Sequence, residues 1–235
     1  MKQNQTASSP RTAREVQIIE LYSRWIRYTH WLNVPLLFIM IWSGLLIYWA
    51  NAIYLPLPDS VANALGLDHK LAEGLGWHFA IMWLFTLNGL IYGSYLLISG
   101  EWRDIVPLKR SFRDALGVVA HDLHLRKEAP VIVGKINGAQ RFAYTGALAL
   151  GAAIVLTGIA IYKPVQTSFL TELLGGYATA RFLHFACMVG FVLFILVHVA
   201  QVIKAGFSNF LGMASGYAVV DDKVDQKQTS TSELK

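Results

Sequence analysis

Two histidines share one apolar stretch. Residues 181–201 read RFLHFACMVGFVLFILVHVAQ, and His184 and His198 stand fourteen residues apart in it. An ionisable side chain at such depth is expensive and reads as functional. On a helix, fourteen steps of about 100° return to within about 40° of the same face and climb about 21 Å. Both rings therefore point one way, at opposite ends of the stretch. His30, in RYTHWLN, opens a second apolar run, and His78, in GWHFAIMW, opens a third. If successive runs alternate direction across a bilayer, His78 lies at the depth of His184, and His30 at the depth of His198. Each depth pair then draws its imidazoles from different helices, a geometry that would fit two haem irons, each held by two imidazoles. Other uses of histidine in a membrane stay open on this pattern: a hydrogen bond to a neighbouring helix, a proton relay or a metal pathway. A metal transporter would more often carry acidic partners inside its spans, and the apolar runs here have none.

The elements that must hold these histidines are plain in the composition. Of the 235 residues 54% are hydrophobic and 15% charged, where a soluble domain carries about 25% charged. Four runs, 35–50, 79–98, 142–162 and 182–203, contain no Asp, Glu, Lys or Arg. Each approaches the roughly 20 residues that cross a bilayer as a helix. The expected fold is an all-α integral membrane protein with a bundle of four transmembrane helices. Lys and Arg set its orientation. The N-terminal tail, the long middle loop and the C-terminal segment together hold 17, and the two short loops hold three, Lys70, Lys163 and Arg181. Both termini are thus expected in the cytoplasm. The expected division is a cytoplasmic tail over 1–20, a membrane domain over 21–216 and a disordered cytoplasmic tail over 217–235. No cleavage site follows the first run, so no cleavable signal peptide is expected. Cys187 is the only cysteine and can close no internal disulfide. The net charge of +5 follows from the positive-inside loops and gives no reason to expect nucleic acid.

The remaining polar features are interfacial. Apolar residues at helical spacing over 112–125 predict an amphipathic helix on the membrane surface. His121 and His124 lie on it, and His69 lies in an outer loop; all three read as surface residues. Gly44 and Gly93 read as points where a porphyrin could approach the backbone. The segment VGKINGAQRFAY then leads into the third run and crowds Lys135, Asn137, Gln140 and Arg141 at the inner interface. Asn137 reads either as a helix N-cap or, with its neighbours, as a set of donors for a quinone head group.

The segments RYTHWLN, GWHFAIMW, GKINGAQRFAYTG, LTGIAIYKP and RFLHF with LVHV resemble the four-helix di-haem b-type cytochrome subunits. These include formate dehydrogenase gamma subunits, thiosulfate-reductase cytochrome b and the cytochrome b of nickel–iron hydrogenases. The likeness spans roughly residues 23–216, and GKINGAQR points to the formate-dehydrogenase and thiosulfate-reductase side. It implies two haem b groups in the bacterial inner membrane, relaying electrons between the quinone pool and a periplasmic partner. That partner would be a molybdopterin oxidoreductase or a hydrogenase. It implies His30, His78, His184 and His198 as iron ligands, and Asn137, Gly138, Gln140 and Lys135 at the quinone site. Arg27 and Arg181, each one turn before a ligand histidine, are cations suited to haem propionates or to interfacial anchoring. The alternatives are a stand-alone haem b oxidoreductase acting on superoxide or ferric ion, and a haem-free anchor or transporter.

Overall fold

Charge-free runs cannot leave backbone groups unpaired in lipid, so they close them as helices. The computed structural model describes residues 16–50, 53–54, 58–67, 69–122, 124–127 and 136–221. Four long helices carry the apolar runs: α1 (Arg24–Trp49), α3 (Leu71–Ser99), α6 (Gly138–Tyr162) and α8 (Tyr177–Ala205). Each is long and apolar enough to cross a membrane. All four begin before the charge-free run does, because interfacial Arg, His and Trp side chains keep their heads at the headgroup level while the backbone stays helical. Pro35 sits inside α1, a placement that membrane helices tolerate. Gly100, at φ 79°, takes the left-handed conformation that ends α3.

Short elements join these helices. On one side lie α2 (Asp59–Ala64) and α7 (Ser168–Leu173). On the other lie α4 (Trp102–Ile105) and α5 (Ser111–Asp122). The amphipathic helix expected over 112–125 is α5, with Leu123 outside the described residues. Its apolar face, Phe112, Leu116 and Val119, is exposed, as a helix bound at a lipid surface requires.

Two features fix α5. Gly138, the first residue of α6, lies so close to it that a Cβ there would collide with the Ser111 carbonyl oxygen and come within 2.8 Å of the Ala115 nitrogen. At its far end Asp122 accepts hydrogen bonds from Lys204, at 2.5 Å, and Gln201, at 2.9 Å, both on α8. Lys204 and then Gln201 hold the Asp122 carboxyl below the ordinary carboxylate range. The C-terminal carbonyls of α4 are met from α6: Arg141 donates to the Arg103 and Val106 carbonyls at 3.2 and 3.0 Å, and Thr145 to Ile105 at 3.1 Å.

The chain divides into two compact units, one over 28–204 and one combining the segments before Tyr28 and after Lys204. In the first, a core of Leu36, Leu37, Phe85 and Phe191 packs with Ile81, Leu150 and Phe194. Phe191 is seven residues from each histidine of α8, so this apolar layer lies midway between the two histidine levels. The outward side chains are apolar too, among them Trp83, Leu97, Ile98, Leu196 and Ile203, which is the surface a lipid-embedded bundle presents.

The second unit corrects part of the expectation for the tails. Residues 16–20 and 217–221 form strands β1 (Val16–Glu20) and β2 (Tyr217–Asp221), paired antiparallel in the register Val16 to Asp221 and Glu20 to Tyr217. The helix α9 (Phe207–Ser215) leads into β2 through Gly216, at φ 93°. Here main-chain pairing, with Leu21 N–H donating to the Gly216 carbonyl at 2.8 Å, orders residues 217–221, which the expected disordered tail included. The remainder of each tail lies outside the described residues.

Candidate functional site

The four span histidines meet in the two pairs that their depths predict. The rings of His78 on α3 and His184 on α8 have centres 6.3 Å apart, with planes at 74°. Those of His30 on α1 and His198 on α8 are 6.2 Å apart, with planes at 59°. The first pair sits where α1 and α6 end, which is the outer level of the charge-based orientation; the second is the inner pair. A metal–imidazole bond is about 2 Å, and a nitrogen lies roughly 1.1 Å from the centre of a ring whose bonds are about 1.33 Å. Two imidazoles sharing one metal in line therefore have centres roughly 6 Å apart. Both pairs match this separation, so the residues fit an iron held axially at each level. Among the described residues no group of three or more His, Cys, Asp or Glu could hold a metal ion, which leaves these two-histidine sites without the richer shell of a bare metal centre.

Local packing explains why the rings stand where they do. A Cβ on Gly74, one turn before His78, would lie 2.8 Å from the Leu46 Cβ, so α3 crosses α1 at close range there. Gly44 lies at the His78 ring, where a Cβ would sit 3.5 Å from Cε1, and Gly158 lies at the His184 ring, at 3.2 Å. Ser43 Oγ is 3.0 Å from His78 Nδ1, and Thr157 Oγ1 is 3.0 Å from His184 Nδ1. At the inner level His198 stacks on Phe194 at 5.6 Å and 14°, and His30 meets Trp31 edge-on at 5.2 Å. His30 Nδ1 is buried with no hydrogen-bond partner among the described residues. Buried Asn88 on α3 donates to the Thr29 carbonyl at 3.0 Å and so ties α3 to α1 one residue from His30.

Other expected site residues have structural duties. Asn137 is the N-cap of α6: its Oδ1 accepts from Gln140 N–H at 2.8 Å, and Gln140 Oε1 accepts from Asn137 N–H at 2.9 Å. This reciprocal capping box commits both amide oxygens and leaves both NH2 groups outside it. Gly138 is required by the approach of α5. Lys135 lies outside the described residues. Arg27 donates to the Ala214 carbonyl, satisfying the last turn of α9 as a C-terminal cation does. Arg181 lies 5.9 Å from the centre of the Tyr177 ring. Gly44 is at the outer level, as expected, while a Cβ on Gly93 would meet nothing within 4 Å. His121 is 36% exposed beside Asp122, consistent with a surface role.

Sequence reasoning missed Ser43, Thr157 and Asn88. The signal for the first two is a repeated phrase: SGLLIY over 43–48 and TGIAIY over 157–162. Each places a hydroxyl, a glycine and a tyrosine at equal offsets near the end of a span. The signal for Asn88 is an amide within an otherwise apolar span, which demands a partner.

Four membrane-spanning helices with imidazoles paired across them define a membrane-embedded haem-binding bundle. Comparison with known proteins agrees: residues 21–216 match the prokaryotic cytochrome b561 family, and the chain belongs to that family. It is a multi-pass membrane protein that binds haem b and serves electron transfer. It is 39% identical over 187 residues to the putative protein-methionine-sulfoxide reductase subunit YedZ1 of Azospira oryzae, a match covering 79% of this chain and 91% of that relative.

Proposed function

We propose that this chain is a di-haem relay subunit. It moves electrons from the quinone pool at the inner face to a periplasmic oxidoreductase partner at the outer face. The observation that carries this reading is the pair of ring separations, 6.3 and 6.2 Å, one at each level. Haem b bound there supplies one-electron ferric–ferrous chemistry. His78 and His184 hold the outer site, and His30 and His198 the inner one. The Leu36, Leu37, Phe85 and Phe191 layer keeps water and ions out between them.

The similarity to a methionine-sulfoxide reductase subunit favours a partner of that kind. A sulfoxide takes two electrons and two protons to give a thioether and water, and a quinol releases two of each. The molybdopterin type of partner agrees with the resemblance of GKINGAQR to the formate-dehydrogenase side of the family.

The quinone head group binds at the start of α6. Asn137 Nδ2 and Gln140 Nε2, free of the capping box, donate to its carbonyl oxygens; Gly138, and Lys135 outside the described residues, complete the set that the family resemblance implies. Asn137→Asp separates this role from capping, because Asp caps as well as Asn but has no amide donor. Its thermal stability stays at the wild-type value, while KM for quinol rises roughly three- to tenfold, the effect of one lost hydrogen bond of about 0.7–1.4 kcal/mol. Equal KM in both proteins removes Asn137 from the quinone site.

Haem counted per chain by the pyridine haemochrome assay tests the relay itself. Two haem b per chain is the expected value. One would leave a histidine pair with a packing role and break the relay. Co-purification with an oxidoreductase subunit is expected as well; a chain that reduces superoxide or ferric ion unaided would replace this reading.

A further inference from the structure

Building on the di-haem reading, we propose that Ser43 and Thr157 are positioning residues. They fix the proton of His78 and His184 on Nδ1, present both Nε2 atoms to the outer iron, and bias that site toward its ferric state.

The argument starts from a count of protons. A serine or threonine hydroxyl donates once and can accept as well. Ser43 is wholly buried, and its Oγ–H donates to the Ile39 carbonyl at 2.7 Å, with the Met40 carbonyl at 3.3 Å. Its only proton is thereby used. What it offers His78 Nδ1, 3.0 Å away, is a lone pair, so Nδ1 carries the hydrogen and Nε2 is left as the ligand nitrogen. Thr157, also buried, repeats the construction. It donates to the Ala153 carbonyl at 2.7 Å, with Ile154 at 3.2 Å, and faces His184 Nδ1 at 3.0 Å. The reverse polarity, hydroxyl donating to Nδ1, would put the hydrogen on Nε2 and abolish ligation.

Two consequences follow. A hydroxyl that donates to a carbonyl is a better acceptor, and a metal-bound imidazole whose other N–H is accepted becomes a more basic ligand. A more basic ligand favours ferric over ferrous iron and lowers the potential. Among the described residues this device is seen at the outer level. At the inner level His30 Nδ1 is buried and meets no acceptor among the described residues. The glycine after each hydroxyl faces the same ring: a Cβ at 158 would press on His184 at 3.2 Å, and one at 44 would reach His78 at ordinary contact distance, 3.5 Å. The SGLLIY and TGIAIY phrases are thus two copies of one element. Each lies on the long helix, α1 or α6, that precedes the long helix carrying the histidine, α3 or α8.

The test uses the full chain with both haems bound. Haem per chain and midpoint potentials are measured for wild type, Ser43→Ala, Thr157→Val and the double variant, beside the hydroxyl-keeping swaps Ser43→Thr and Thr157→Ser. Each hydroxyl-lacking single variant is expected to raise one potential, the double variant to raise the same one further, and the other potential to stay fixed. The swaps should return the wild-type value. Two haems with both potentials unchanged in the double variant would overturn the proposal. If Ser43→Ala or Thr157→Val loses a haem, retention in the swaps supports the hydroxyl role, and loss in the swaps overturns it. A wild-type chain with no haem is a failure of the haem reading itself, seen before any variant is made.

Discussion

His198→Ala is expected to lower haem content from two per chain to one and to abolish quinol-driven reduction of the partner, while the remaining haem keeps its spectrum and potential. The physical reason is the separation of the two levels on one helix. His198 and His184 stand fourteen residues apart on α8, about 21 Å of rise, with the Phe191 layer between. On the proposed di-haem reading, truncating His198 removes one of the two imidazoles that would hold the inner haem, and its stacking on Phe194. His78, His184 and their hydroxyl partners are untouched. His184→Ala gives the mirror result: the inner haem stays, and quinol still reduces it, but electrons no longer reach the partner. The measurement is haem per chain with an optical redox titration, followed by quinol-dependent reduction monitored at each haem band. A His198→Ala chain that keeps two haems would show that His30 and His198 do not hold iron together.

How much of this was legible in the sequence depends on the physics behind each feature. The spans are legible because hydrocarbon tolerates no charge, so four charge-free runs announce four helices. The histidine levels are legible because helix geometry turns a fourteen-residue interval into one face and one depth. The pairing of β1 with β2 is not legible. It joins residues some two hundred positions apart through main-chain hydrogen bonds, which carry no side-chain signature, so nothing in either segment announces its partner. Ser43 and Thr157 are hard to see for another reason. A hydroxyl in an apolar helix satisfies itself on the preceding turn, and nothing in its spacing says that its lone pair has a second use. Asn137 carries a local structural motif beside its functional reading. The pattern N-G-A-Q is a capping box read forward, and the structure commits both amide oxygens to it. Arg27 teaches the same lesson at longer range. Its position one turn before His30 suggests a propionate partner, yet the guanidinium is bonded to the last turn of α9.

Gly138→Ala is expected to be the most damaging Gly→Ala change among the described glycines of the four long helices. Helix α5 runs across the start of α6 with its backbone against Gly138. The new Cβ would meet the Ser111 carbonyl oxygen, the Ala115 nitrogen and the Asp114 Cβ at once, and two of the three belong to main chain. Main chain cannot rotate away as a side chain can, so α5 must lift. Overpacking of this kind costs about 1–3 kcal/mol or more. The clash lies at the start of α6, nineteen residues and about 28 Å of rise from Thr157 at the His184 ring. Haem content should therefore stay at the wild-type value, while the thermal midpoint falls and protease cuts the segment around α5 faster than in wild type. Quinol KM should rise as well, because lifting α5 disturbs the first turn of α6, where Asn137 and Gln140 are fixed. The order of these effects decides what Gly138 is for. A stability loss accompanied by the KM change assigns it to packing that supports the quinone site. A KM change at full stability would make it a direct contact of the head group, and the close approach of α5 would then have to relax at little cost.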